Sequence, residues 1–208
     1  MNKIKETMND KLKRICNLFL GVTIASLGIA LMLNCDLGCF VETAVYKGIS
    51  IKLDIPLFLA NILCEVIMIS IATYYGEGLG WTAIINATFG ALMINLFHNI
   101  LPHHPLLCFG GLLIPVGWSM LEKARYGSTG TNILMKAIMK ATGKSLFKVR
   151  TVIELLFLLV AYLTAPQYVT WFTIALTFGT PVLLKYGYKL LGHKPVKIDH
   201  DFIISKKN

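Results

Sequence analysis

Six stretches of the chain, near residues 18–33, 57–73, 82–97, 106–121, 152–165 and 168–184, carry almost no charged side chains. Each is close to the length a helix needs to cross the hydrocarbon core of a bilayer, roughly 17–25 residues. An amphipathic helix of a water-soluble protein shows charges every third or fourth position on its outer face, and these segments do not. Charged residues make up 15% of the 208-residue chain, against roughly 25% in an ordinary globular domain. That is too few to cover a soluble surface. The expectation is an all-α integral membrane protein with six transmembrane helices.

Where the charges lie sets the orientation. The formal net charge is +9, which taken alone invites a nucleic-acid reading. Lys3, Lys5, Lys11, Lys13 and Arg14 precede the first span, however. Lys123, Arg125, Lys136, Lys140, Lys144 and Lys148 fall between the fourth and fifth, and Lys185, Lys189, Lys194, Lys197, Lys206 and Lys207 follow the sixth. The connections near 74–81, 98–105 and 165–167 have no Lys or Arg, and the one near 35–54 has only Lys47 and Lys52. With six spans every basic segment falls on one side, and the positive-inside rule puts both termini in the cytoplasm. Anionic lipid headgroups are the partners this pattern suits; no nucleic-acid partner is expected. The first apolar run is long and lacks a small-residue cleavage site, so it reads as an uncleaved helix rather than a signal peptide.

Comparison of each residue with the one 89 positions later reveals an internal duplication. It aligns Gly21 with Gly110, Gly28 with Gly117, Gly38 with Gly127, Lys47 with Lys136, Glu65 with Glu154 and Ala72 with Ala161. The register ends with Thr88-Phe89-Gly90 against Thr177-Phe178-Gly179, and needs no gap. Two apolar segments share leucines by chance, but not a set of glycines, a glutamate and a Thr-Phe-Gly triplet. Three spans per copy is an odd number, so the second copy must enter the membrane from the opposite side. The expected architecture is two inverted-topology three-helix repeats, over 16–98 and 106–187, flanked by basic cytoplasmic segments at 1–15 and 188–208. Secondary transporters use such repeats and bind their solutes where the repeats meet.

Candidate chemistry is sparse. Glu65 and Glu154 are carboxylates within spans, a costly placement that commonly faces a bundle interior or a water-filled path. They are candidates for solute binding or ion coupling. The structural alternative is local pairing, because Asn61 and Arg150 precede them by four residues, one helical turn. The second candidate is the glycine-led pair of segments. Gly127, Ser128, Thr129, Gly130, Thr131 and Asn132 precede a helical pattern, leaving backbone N–H groups and a positive dipole end suited to an anion. The matching segment after Gly38 contributes Thr43. Either each segment re-enters the membrane, or each is an amphipathic helix on its surface, with Lys136, Lys140 and Lys144 among headgroups.

Gly21, Gly28, Gly110 and Gly117 suit close helix packing, and Pro115 and Pro181 suit kinks. Asn86 and Asn95 suit interhelical hydrogen bonds or a polar pathway. Cys35 and Cys39 stand near the outer face, where a disulfide or a soft-metal pair is conceivable, but no further ligand completes a metal set. His98, His103 and His104 read more simply as an interfacial loop than as a metal site. The chain has no nucleotide-binding glycine loop, no zinc-protease motif and no nucleophile elbow. No enzyme, cofactor or metal is therefore expected.

The stretches Gly127-Ser-Thr-Gly-Thr-Asn-Ile-Leu134, Thr142-Gly-Lys-Ser145 and Val149-Arg-Thr-Val-Ile-Glu154, with Leu27-Gly-Ile-Ala-Leu-Met32, resemble YczE/YitT-type bacterial membrane proteins over roughly 15–190. Those proteins commonly have Asp where Asn132 stands here, and often a Gly-Pro-Trp-Asp-like motif where this chain has Val41-Glu42-Thr43. The resemblance implies a small inner-membrane protein of five or six spans and no particular substrate. The function expected from the whole sequence is transport or export of a small solute. The alternative is a non-transporting scaffold or regulator of a partner protein.

Overall fold

A computed structural model describes residues 8–179 and 202–204. The chain is helical almost throughout. In order it forms α1 (Met8–Leu33), α2 (Val41–Leu53), α3 (Leu57–Tyr74), α4 (Trp81–Ile100), α5 (Pro105–Ala124), α6 (Gly130–Thr142) and α7 (Leu146–Thr164). A final helix, α8, covers 171–179 and leads into residues outside the described set. Two short pieces, Leu79–Gly80 and Phe202–Ile204, pair antiparallel.

Four of these helices, α1, α3, α4 and α5, are long and apolar enough to cross a membrane. The fifth expected span corresponds to α7, which begins six residues earlier than the apolar run. Its first half therefore carries Lys148, Arg150 and Glu154, and its apolar stretch is shorter. The sixth falls partly on 180–184, outside the described residues, as do Pro181 and nearly all of the basic tail at 188–208.

The helices expose what a soluble bundle would hide. Leu59, Leu63, Val66, Ile67 and Ile71 on α3, and Leu155, Leu156, Leu159, Tyr162 and Leu163 on α7, all face outward. Continuous apolar faces of this kind are tolerated against hydrocarbon and not against water. The polar residues of the same helices point inward: Asn61 and Glu65 on α3, Arg150 and Glu154 on α7, are all buried.

Glycine sets the closest contact. α1 and α5 cross antiparallel, with Gly21 against the carbonyl of Gly117 and Gly28 against that of Gly110. A Cβ on Gly117 would stand 2.6 Å from Ala25 N and from Gly21 O. Only glycine lets the two backbones approach so closely, the packing role expected of these residues. The four glycines form a set that maps onto itself when the chain is shifted by 89 residues.

The backbone follows the same register. Asp36 and Arg125 both have left-handed φ, 57° and 60°; so do Gly38 and Gly127, at 128° and 100°, and Asp54 and Gly143, at 52° and 65°. Each pair is 89 residues apart. Asp54 closes α2 and Gly143 closes α6, two helices of 13 residues each. α2 packs mainly on α7, and α6 mainly on α3.

Two clusters mark the ends of the bundle. At one end the Arg14 side chain donates to the carbonyl oxygens of Ala124 (2.8 Å) and Arg125 (3.3 Å) and stacks on Tyr126. Thr82 N–H donates to Tyr126 O at 2.9 Å. At the other end buried Asn34 donates to the carbonyls of His98 and Leu101, and Thr170 donates to Leu37 O at 2.5 Å.

Candidate functional site

α4 has a π-helical turn at Asn86–Gly90. Such bulges are rare and occur frequently at functional sites. This one turns Asn86 toward α3, where its Nδ2 donates to Glu65 Oε1 at 3.3 Å. Glu65 is 2% exposed. Its other oxygen, Oε2, has no hydrogen-bond partner among the described residues. That oxygen faces the start of α6, where a Cβ added to Gly130 would collide with it. Thr129 does not cap α6 with its side chain. The carboxylate of Glu65 therefore occupies the positive end of the helix that the sequence marked as suited to an anion. The anion at Gly130 is the protein's own.

Asn61 does not satisfy Glu65. It lies one turn earlier on α3, is 5% exposed, and its Oδ1 also has no hydrogen-bond partner. On α7 the corresponding pair does form. Arg150 approaches Glu154 Oε1 through Nε at 2.9 Å and Nη2 at 2.8 Å. Both side chains are buried, and the guanidinium lies 6.0 Å from the Trp118 ring centroid.

These groups surround one cavity of about 50 Å³. Glu65 and Asn61 come to it from α3, Arg150 and Glu154 from α7, and Thr129, Thr131 and Asn132 from the start of α6. Thr43 and Glu42 enter from α2, and Trp118 from α5. Six pairs of lining residues stand 89 apart: Ile29 and Trp118, Phe40 and Thr129, Glu42 and Thr131, Thr43 and Asn132, Asn61 and Arg150, Glu65 and Glu154. One such pair is bonded directly, Thr131 Oγ1 donating to Glu42 Oε1. The same oxygen accepts from Tyr46 Oη at 2.6 Å.

Most of the expected site residues thus meet. Gly130 lies immediately behind Glu65. Gly127 and Ser128 stand apart from the cavity. Gly127 packs on the Gly80 backbone, and Ser128 accepts from Lys136 Nζ at 2.6 Å. The first two turns of α6 are buried in the bundle, while Lys140 and Lys144 at its far end are exposed. The sequence reading missed Glu42, Tyr46 and Trp118. The 89-residue register could have found Glu42, since it stands opposite Thr131.

Outside the cavity, Cys35 and Cys39 are free thiols rather than a disulfide. Burial pushes the Cys39 thiol up to about 12. His98 bonds Asn34 Oδ1 through Nδ1 and Lys47 Nζ through Nε2, the latter at 2.9 Å, and His103 pairs with Asp36. No group of His, Cys, Asp and Glu able to hold a metal ion occurs among the described residues.

Residues 12–186 match the model of DUF6198, a family of unknown function. The chain belongs to this family. Neither a curated protein nor a solved structure matches it.

Proposed function

We propose that this DUF6198 protein is a small-solute transporter of the bacterial inner membrane, with both termini cytoplasmic. It would be built from two three-helix halves inserted in opposite orientations, with the cavity between α3, α6, α7 and α2 as its binding site. One observation carries the reading. A buried carboxylate, Glu65, with no cationic side chain beside it among the described residues, lines a polar cavity together with residue pairs 89 positions apart. An uncompensated carboxylate in a membrane bundle costs several kcal/mol and is commonly kept for function.

The opposite orientation of the halves draws support from the self-matching glycine contact of α1 and α5, the paired left-handed residues and the paired short helices. The basic residues Lys11, Lys13, Arg14, Lys123 and Arg125 gather near the end where Arg14 meets Ala124, which supports that end as cytoplasmic. The likeness to YczE/YitT-type proteins remains a resemblance, carried by the stretches around Gly127 and Glu154.

Orientation is tested with single cysteines in a cysteine-free background. Positions 45 and 134, which correspond in the two copies, are both buried, so the exposed Lys52 and Ala141, also 89 apart, are the sites to use. Lys52→Cys should label with an impermeant maleimide from outside, and Ala141→Cys only after permeabilisation. Labelling of both from one side refutes the opposed halves.

Function is tested by comparing metabolites inside and outside cells that carry wild-type protein or Glu65→Gln at equal membrane abundance. The expected result is a solute imbalance that disappears in the variant. An imbalance that survives Glu65→Gln but fails on truncation of residues 190–208 would favour the scaffold or regulator.

A further inference from the structure

The cavity holds three carboxylates, Glu42, Glu65 and Glu154, and one guanidinium, Arg150. Arg150 is engaged by Glu154. Among the described residues neither Glu42 nor Glu65 has a cationic partner. Glu42 receives two hydroxyl hydrogen bonds, from Tyr46 and Thr131; Glu65 receives an amide N–H hydrogen bond from Asn86, and its other oxygen lies against the Gly130 backbone. Two buried acceptors, Asn61 Oδ1 and Glu65 Oε2, have no side-chain donor among the described residues, and only the Gly130 backbone lies against Glu65 Oε2. An unmade hydrogen bond to a buried acceptor costs its full desolvation penalty, more so for a charged one. Both acceptors belong to residues that line the same cavity.

The second copy indicates what would satisfy them. Eighty-nine residues beyond Asn61 stands Arg150, whose guanidinium places N–H donors and a positive charge on the carboxylate corresponding to Glu65. The first copy has the carboxylate and the short asparagine, with no cation at the position that corresponds to Arg150. Resting on the transporter reading above, we propose that the Glu65–Glu42 side of the cavity binds a small monovalent cation with N–H donors, of the ammonium or guanidinium type.

Three further features fit this class. The cavity, about 50 Å³, has room for roughly three or four water molecules at about 10–15 Å³ each. That suits a few heavy atoms and not a sugar or a nucleotide. The rings of Phe40, Tyr46 and Trp118 line it, and aromatic faces attract organic cations. Ca²⁺ and Mg²⁺ want six or more oxygen ligands, and no group of His, Cys, Asp and Glu able to hold a metal ion occurs among the described residues.

The test titrates purified full-length protein in nanodiscs with guanidinium chloride or methylammonium chloride at millimolar concentrations. Trp118 fluorescence, in a protein whose Trp81 and Trp171 are changed to Phe, is the reporter, ionic strength is held constant, and NaCl and KCl serve as comparisons. Saturable binding of at least one of the two organic cations is expected. Glu65→Gln should weaken it about thirtyfold or more, as for loss of one partner from a buried, hydrogen-bonded charge pair. Asn61→Arg, which supplies the first copy with its own guanidinium, should abolish it while the protein stays monodisperse. Asp54→Asn, at an exposed residue, should leave it unchanged.

Saturation by Na⁺ or K⁺ alone, or organic-cation binding that persists in both Glu65→Gln and Asn61→Arg, overturns the proposal. A separate flux assay in proteoliposomes keeps it distinct from the transporter reading. A cation that binds but does not cross leaves the site standing and removes transport. A neutral or anionic solute that crosses, with no cation binding, does the reverse.

Discussion

Glu154 on α7 is held one turn away by Arg150, through two contacts of 2.8 and 2.9 Å. Glu65 on α3, 89 residues earlier, has Asn61 in the arginine's place, one amide bond at 3.3 Å and an oxygen without a partner. The two carboxylates line one cavity and are buried to similar degrees. They differ in what compensates them: a guanidinium holds Glu154, while Glu65 has the backbone end of α6 at Gly130 and one amide N–H. The two positions correspond in the 89-residue register, and Arg150 stands at one where Asn61 stands at the other. Glu154 is tied to its own helix by the ion pair. In the transporter reading proposed above, Glu65 is the carboxylate left to meet a solute.

The largest effect should come from breaking the compensated side. Arg150→Met leaves Glu154 buried without its cation, and removal of one partner from a buried ion pair costs roughly 3–5 kcal/mol. Unfolding in mixed micelles should show a loss of that size. Arg150→Met combined with Glu154→Gln should recover most of it, because the stranded charge is gone. A double variant as unstable as the single one would mean that the Arg150 contact with Trp118, and not the ion pair, holds α7 in place.

A smaller loss is expected where α6 meets Glu65. Alanine is the better helix former by about 1 kcal/mol, so helix propensity alone predicts that Gly130→Ala stabilises the protein. The collision of the new Cβ with Glu65 Oε2 predicts the opposite, a net loss of roughly 1–2 kcal/mol of the kind caused by overpacking. Gly143→Ala is the control. Nothing lies within 4 Å of its Cβ position, and only the left-handed φ of 65° opposes the change. A gain in stability at Gly130→Ala would show that helix propensity, and not contact with the carboxylate, decides the outcome at 130.

Much of this architecture was legible in the sequence because lipid and duplication both leave linear traces. The apolar runs gave α3, α4 and α5 within a few residues and the end of α1, whose start lies ten residues earlier than the run; the shared glycines marked close helix packing without naming α1 and α5 as the partners. The runs hid the true start of α7, since Lys148, Arg150 and Glu154 interrupt the apolar pattern although two of them point inward. The helical spacing of Asn61 to Glu65 and of Arg150 to Glu154 suggested two local pairs, and one forms. An asparagine can turn away where an arginine is held by charge. Glu42 was not legible from spacing along its own helix. It reaches the cavity because α2 packs across the bundle on α7, a long-range contact that no local periodicity encodes.

The smallest change should be the stability of Glu65→Gln. If Glu65 were a structural residue like Glu154, its neutralisation would release α6 and α4 and cost several kcal/mol. With no cation beside it, the carboxylate has little charge pairing to lose, and exchanging a buried, uncompensated ion for a neutral group of equal shape is often neutral or stabilising. The expected shift is within about 1 kcal/mol of wild type, in either direction, by the same micelle unfolding. Small cost in stability together with lost binding is the signature of a residue kept for function. A loss as large as that of Arg150→Met would put Glu65 among the struts of the bundle and erase the difference between the two halves.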